Sequence, residues 1–169
     1  MGHQAGSTWE RGGGARMTSS AGGTVGTFRE MLERRVQEWL ASEEAKAFPC
    51  AALYAHLPPL FVALAGAALD SRLPRRERGA VMSALKYVVA PFDLIPEGVV
   101  GTSGFRDDLV LAAMVVDHLA CRGFAGLVRE HWPEAGDPLA VAHEILEAGR
   151  RLVDDDTCER LRHWLPPSS

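Results

Sequence analysis

Four carboxylates lie close together in a stretch of sequence that is otherwise apolar or rich in proline and glycine. Residues 87–108 contain all of them, as Asp93, Glu97, Asp107 and Asp108. A carboxylate beside an apolar segment must be paired, capped, metal-bound or exposed to water, because burying an unpaired charge is costly. If the intervening loop folds back, these side chains supply the oxygen ligands that Mg²⁺, Ca²⁺ or Mn²⁺ prefer. A divalent-metal site is therefore one interpretation, although the spacing matches no EF-hand loop.

The same residues have a purely structural interpretation. Asp93 then caps a helix N-terminus by accepting a hydrogen bond from the backbone of Ile95, and Leu94 and Ile95 pack into the core. Asp107 and Asp108 then lie in the first turn of the next helix, where the helix dipole favours negative charge by roughly 0.3 to 1 kcal/mol each. This interpretation needs no ligand, and the sequence leaves both open.

No catalytic motif accompanies the carboxylates. The sequence has no serine-centred elbow, glycine-rich phosphate loop or His-Glu-x-x-His pattern. His118 lies too far along a helix from Asp107 to share an ion with it, so we expect it at a helix end or an interface. Cys50, Cys121 and Cys158 are odd in number and widely spaced, which indicates neither a disulfide framework nor a thiolate zinc site. Such cysteine usage is typical of a reducing cytoplasm.

Prolines separate the helical segments in the first half of the chain. Apolar residues recur at three- and four-residue spacing over residues 27–46, which predicts an amphipathic helix. Pro58, followed by another proline, opens a helix that runs to about Leu69. Pro74 opens the next helix, and Pro91 ends it, because the residue before a proline is biased away from the helical region.

The second half of the chain predicts a buried central helix. Residues 109–116 are apolar on every side, and their alanines favour a helix over a strand. Further helices are expected over residues 138–153 and 156–165. No segment alternates with a period of two, so we predict an all-α fold: an irregular or orthogonal bundle of five to seven helices around a buried helix near residues 105–122.

One apolar segment raises the question of a membrane anchor. Residues 47–69 contain no Asp, Glu, Lys or Arg and are long enough to cross about 30 Å of hydrocarbon. Pro49, His56 and Pro58 interrupt this segment, so we expect a buried helix there. Anchoring in a membrane through residues 47–69 is retained as an alternative.

Length and charge limit the organisation of the chain and its partners. With 169 residues and 18.3 kDa it has room for one domain with a substantial core, which we place at residues 25–165. Residues 1–24 are rich in glycine and are predicted to be a flexible leader. The formal net charge of −4 argues against general binding of nucleic acid.

Four short motifs occur in order between residues 58 and 122. They are Asp-Ser-Arg-Leu-Pro at 70–74, Ala-Leu-Lys-Tyr at 84–87, Pro-Phe-Asp-Leu-Ile-Pro-Glu at 91–97 and Gly-Phe-Arg-Asp-Asp at 104–108. In this combination the segment resembles the YkvA-like bacterial domain of unknown function. The resemblance implies a helical fold without an established enzymatic activity. It marks these motif residues: Tyr87, Pro91, Asp93, Leu94, Ile95, Pro96, Glu97, Gly104, Asp107 and Asp108.

The sequence departs from the pattern of that family in two places. Glu97 replaces the usual aspartate, and residues 99–103 are more polar than expected and lack a common proline. The longer side chain of Glu97 would alter the geometry of a carboxylate cage. A similar segment occurs in the membrane-embedded end of some eukaryotic RING-type ubiquitin ligases, which supports the membrane alternative.

We expect a non-enzymatic helical protein that acts as a macromolecular binding or scaffold module. The expected partner is another protein or a second copy of the chain, peripheral membrane contact being an alternative. The expected location is cytoplasmic, and no cofactor is expected. The alternative from the enzyme class is a divalent-metal-dependent hydrolase or phosphotransfer protein that uses Asp93, Glu97, Asp107 and Asp108.

Overall fold

The computed structural model of this protein describes residues 19–94 and 103–166, without the side chains of residues 19–22, 90–94, 103, 104 and 150. These residues contain helices and no strand, which confirms the predicted all-α fold. Seven of the helices have six or more residues, in agreement with the expected five to seven. The helices are α1 (Ser19–Leu40), α2 (Glu43–Lys46), α3 (Leu57–Leu69), α4 (Arg75–Leu94), α5 (Ser103–Leu119), α6 (Ala125–Glu130), α7 (Pro138–Leu152) and α8 (Asp155–Arg162).

The predicted helix over residues 27–46 is divided in two. After α1 ends, the Ser42 side chain accepts a hydrogen bond from the backbone N–H of Ala45 at 3.2 Å and so caps α2. Helix α1 begins at Ser19, so residues 19–24, which were predicted to belong to a flexible leader, are helical. The rest of that predicted leader, residues 1–18, lies outside the described residues.

Helix α3 has prolines at its first turn, as predicted, because the missing N–H groups have no partner there in any helix. The prediction for Pro91 is wrong, since α4 continues past it to Leu94. A proline inside a helix removes one hydrogen bond, but the helix tolerates this loss near its end. Asp93 therefore belongs to the last turn of α4, and its predicted role as an N-cap is also wrong.

Helix α5 is the hub of the core, as predicted. All residues from Leu109 to Val116 are buried. Helix α5 packs against α3 and α4 on one side and against α7 and α8 on the other. It begins at Ser103, so Asp107 and Asp108 lie in its second turn, and the prediction that they occupy the first turn is wrong.

Helices α3 and α6 approach each other closely at Gly66. A Cβ atom on this glycine would lie 2.7 Å from the ring of His131, so only glycine fits at this crossing. Nε2 of His131 lies 3.2 Å from a carboxylate oxygen of Asp70, at the end of α3. Arg72 joins the same region by ion pairs to Asp70 at 2.8 Å and to Glu130 at 2.6 Å. This network fixes the loop between α3 and α4 against the end of α6.

The last two helices each begin at an aspartate cap. Asp137 accepts a hydrogen bond from the backbone N–H of Leu139 at 3.1 Å, and Asp154 accepts one from Thr157 at 2.7 Å. A charged or polar side chain at this position satisfies backbone donors that the helix leaves unpaired. Both helices lie close to the expected ranges, and they form one side of the bundle beside α5.

Two helical segments among the described residues are long and apolar enough to span a membrane. They are Ala51–Leu69, with a mean hydropathy of 1.6, and Phe105–Glu130, with 1.5. Most of both segments is buried inside the bundle, 67% and 56% respectively. Because the core helices of soluble proteins have the same length and composition, these segments are weak evidence for a membrane location.

Candidate functional site

The structure brings only some of the predicted motif residues together. The hydroxyl of Tyr87 on α4 lies 3.5 Å from Oδ2 of Asp107 on α5 and donates to it. The Tyr87 ring packs against Trp164, with 5.6 Å between ring centroids. Burial raises the pKa of Asp107 against the opposing effects of Arg160 and Tyr87. Tyr87 therefore connects α4 to α5 and to the segment that follows α8.

Asp108 has a different environment from its neighbour. Its exposed fraction is only 2%, and Oδ1 has no hydrogen-bond partner. Burial, with a smaller contribution from the charge of Asp107, raises the pKa of Asp108 to about 8. The side chain is therefore mostly a neutral carboxylic acid at pH 7, because ionising it inside the protein would cost more than protonating it.

The described residues contain no group of three or more His, Cys, Asp or Glu side chains arranged to hold a metal ion. Glu97, with Ile95 and Pro96, lies outside the described residues. Of Asp93, Leu94 and Gly104 only the backbone is described. The convergence of the four carboxylates therefore remains a prediction.

A buried ionic cluster that the sequence did not reveal connects α4 to α5. Glu77 is only 3% exposed, and its Oε2 lies 2.7 Å from Nε2 of His118. Its other oxygen accepts a hydrogen bond from Nε of Arg122 at 3.3 Å. Burial favours a higher pKa for Glu77, but His118 and Arg122 outweigh it and hold this pKa below its usual value. Glu77 is therefore an ionised carboxylate inside the protein.

His118 also lines a cleft between α5, α7 and α8. The cleft has a volume of about 830 Å³ and is partly open to solvent. Its apolar wall comprises Val110, Met114, Leu146, Leu165 and Pro166, and its polar lining comprises Asp117, His118, Cys121, Asp155, Cys158, Glu159 and Arg162.

The charges on the cleft are mainly negative. Asp117 lies 3.4 Å from Nε2 of His143, and Glu159 lies 3.8 Å from Arg162 in an exposed pair. Asp155 forms no ion pair with any residue that the structure describes. Three carboxylates thus face one arginine around an apolar wall, which suits a ligand that is both apolar and positively charged.

Sequence reasoning named His118 as a helix-end or interface residue but missed its partner. Glu77 lies in an arginine-rich segment, where an acidic residue normally indicates an exposed helix face. The carboxylate and the imidazole are 41 positions apart. Only the packing of α4 on α5 joins them, so the sequence carries no local signal for this pair.

Comparison with known proteins identifies one segment. Residues 77–114 match the family described as "Protein of unknown function (DUF1232)". This match is consistent with the YkvA-like resemblance and covers most of α4 and the first two thirds of α5. No curated protein and no solved structure gives a significant match. The matched segment contains Glu77, Tyr87, Asp107 and Asp108, whereas most of the cleft lining lies outside it.

Proposed function

We propose that this protein is a non-enzymatic binding module whose cleft between α5, α7 and α8 holds a short segment of a partner protein. The segment presents an apolar side chain flanked by lysine or arginine. The cleft itself is the observation that carries this proposal, because it combines an apolar wall with an acidic rim. The proposed location is cytoplasmic.

The size of the cleft supports a short segment as the occupant. A volume of about 830 Å³ lies within the roughly 300 to 1,000 Å³ range of small-ligand sites, and a short segment with one inserted side chain is of similar size. Gly149 lies in the wall formed by α7, and a Cβ atom added to it would meet no atom within 4 Å. The cleft therefore has room at its wall for an inserted side chain.

The lining supports an apolar anchor with positive flanks. Met114 is a flexible, polarisable side chain that adapts to different apolar partners. Asp155 and Glu159 lie on the same face of α8, where they can attract a cation to the rim. Because rim charges act mainly through long-range attraction, binding should weaken as the salt concentration rises.

A matched pair of labelled peptides tests this proposal. We expect a short peptide of alternating leucine and lysine to bind saturably in fluorescence anisotropy, and the same peptide with glutamate in place of lysine not to bind. The variant Gly149→Phe should abolish binding by filling the cleft. The double variant Asp155→Asn/Glu159→Gln should weaken it roughly tenfold, whereas the control Asp156→Asn, outside the lining, should not.

Alkylation of cysteines locates the bound peptide. Cys121 is exposed and lines the cleft, whereas Cys50 is on another part of the protein. Saturating leucine-lysine peptide should slow the alkylation of Cys121 and leave that of Cys50 unchanged. Equal binding of the two peptides, or full binding by Gly149→Phe, would refute the proposal. Self-association that Gly149→Phe abolishes would identify a second copy of the chain as the occupant and also refute it.

A further inference from the structure

A second polar cluster lies near the other end of α5, where an arginine packs against a group of aromatic side chains from three segments. Trp39 comes from α1, Tyr54 from the 3₁₀ turn Ala51–His56, and Phe48 from the loop between them. The ring centroids of Trp39 and Tyr54 are 4.6 Å apart, and Phe48 lies about 6 Å from both, at 6.0 and 6.1 Å. The guanidinium carbon of Arg106 lies 4.5 Å from the centre of the Phe48 ring.

Three donors in this cluster have no acceptor. They are the N–H at Nε1 of Trp39, the O–H of Tyr54 and the N–H at Nε of Arg106, and each of these buried donors lacks an acceptor. Tyr54 is fully buried, with an exposed fraction of 0%. Native proteins rarely leave buried polar atoms unpaired, because each one loses its hydrogen bonds to water on folding. Three such donors in one cluster therefore indicate a missing acceptor.

The electrostatics of the cluster favour an anion. Arg106 forms no ion pair with any residue in 19–94 or 103–166 whose side chain is described. Burial raises the pKa of Tyr54 to about 12, although the charge of Arg106 and a hydrogen bond from its guanidinium to the Tyr54 oxygen both favour the ionised phenol. Asp107 has the opposite effect on Tyr54 and is the carboxylate that an incoming anion would encounter. Oδ2 of Asp107 accepts a hydrogen bond from Tyr87, which partly compensates the negative charge of Asp107.

We infer that Arg106, Tyr54 and Trp39 form a binding site for a small oxyanion, a carboxylate or a phosphate. Arginine binds both groups through paired N–H donors, and the phenol and indole supply further donors. Phe48 covers one face of the guanidinium and limits its contact with water. Trp39, Phe48 and Arg106 are partly exposed, so the buried donors lie close to the protein surface. The site is independent of the cleft between α5, α7 and α8.

Thermal melting with inorganic phosphate or acetate at constant ionic strength tests this inference. We expect either anion to raise the melting midpoint in a saturable manner at millimolar concentration, because it binds the native state alone. Tyr54→Phe removes one hydroxyl from an otherwise unchanged ring and should weaken binding about tenfold. Arg106→Gln should abolish it, while Arg75→Gln, on the exposed start of α4, should leave it unchanged.

The indole N–H resonance of Trp39, assigned by comparison with Trp39→Phe, gives a second readout that does not depend on stability. It should shift with the same dissociation constant as the melting midpoint. A midpoint that rises equally in wild type and Tyr54→Phe, or that rises equally with chloride, would overturn the inference. Absence of any saturable response to both anions would overturn it as well, with the cleft proposal unaffected.

Discussion

Nε2 of His118 lies 2.7 Å from Oε2 of Glu77, and the contact joins α5 to α4 inside the protein. Glu77 also forms an ion pair with Arg122 at 3.3 Å, and removing one partner of a buried ion pair typically costs about 3 to 5 kcal/mol. We expect Glu77→Ala to lower the free energy of unfolding by about this amount in urea denaturation. Glu159→Ala is the control, because its pair with Arg162 is exposed and should change the stability by less than about 1 kcal/mol.

A smaller substitution at the same position separates charge from volume. Glu77→Gln keeps the shape of the side chain and one acceptor oxygen, so we expect a loss of about 1 to 3 kcal/mol. Equal stability of Glu77→Ala and Glu159→Ala would show that the buried cluster contributes nothing to the fold.

The buried carboxyl of Asp108 predicts a pH dependence of stability. Its pKa is raised to about 8 in the folded protein, above the ordinary value of 3.8 expected in the unfolded chain. Between these values the folded protein keeps a proton that the unfolded chain has lost. Stability should therefore fall as the pH rises from about 4 to about 8, by up to about 1.4 kcal/mol per pH unit.

The variant Asp108→Asn isolates this contribution. The amide does not ionise, so the difference in stability between wild type and variant should change with pH in favour of the variant above neutrality. Chemical denaturation at several pH values measures it. The exposed Asp156→Asn should show a difference that stays constant with pH, and the same constancy for Asp108→Asn would contradict the prediction.

The close contact between α3 and α6 predicts that Gly66 tolerates no side chain. Gly66→Ala places a Cβ atom 2.7 Å from the His131 ring, and we expect a loss of about 1 to 3 kcal/mol in thermal or urea unfolding. Gly79→Ala is the matched control on α4, where a Cβ atom meets nothing within 4 Å, and it should stabilise the helix by about 0.5 to 1 kcal/mol. If the clash is the cause, combining Gly66→Ala with His131→Ala should cost less than the sum of the two single changes.

The cap of α8 predicts a coupling between helix stability and the cleft. Asp154→Ala removes the hydrogen bond to the backbone N–H of Thr157, which typically costs about 1 kcal/mol. Because α8 supplies much of the polar lining, the variant should also bind the leucine-lysine peptide more weakly. Fluorescence anisotropy measures this effect. Normal peptide binding by a destabilised variant would show that the cap of α8 does not affect the cleft.

Two inexpensive measurements address the remaining alternatives. Magnesium or manganese at millimolar concentration should leave the melting midpoint unchanged if Asp107 and Asp108 hold no ion. A concentration-dependent rise that Asp107→Asn abolishes would instead support the divalent-metal alternative. Fractionation without detergent should leave the protein in the soluble phase, whereas recovery only from membranes would support anchoring through residues 47–69.

The order and type of the helices were largely predictable, and the reason is local. Residues 109–116 are apolar on every side, and their alanines favour a buried helix over a strand. The prolines at the start of α3 act within one turn. The prediction that Pro91 ends α4 is wrong, because the steric bias against a helical residue before proline is weaker than the packing that holds α4 together. The residue at which α5 begins decides which turn Asp107 and Asp108 occupy. Helix boundaries are the feature that a sequence predicts least accurately.

The candidate sites were less accessible to sequence reasoning than the helices. The carboxylates of the family motif were recognisable in the sequence because they lie close together in an apolar stretch. Their predicted convergence involves Glu97, which lies outside the described residues. Glu77 and His118 meet only through packing, and so do the walls of the cleft and the donors of Trp39, Tyr54 and Arg106. Helical periodicity shows which face of a helix is buried but not which helix covers it.

The segment that matches the family ends at residue 114, inside α5, so its boundaries do not coincide with a unit that we expect to fold alone. A fragment of residues 77–114 would contain Glu77 but neither His118 nor Arg122, so its carboxylate would have lost both hydrogen-bond partners. The apolar surface of α5 would also lose α3 and α7. We expect that fragment to aggregate, and an autonomous folding unit to require α1 through α8 together.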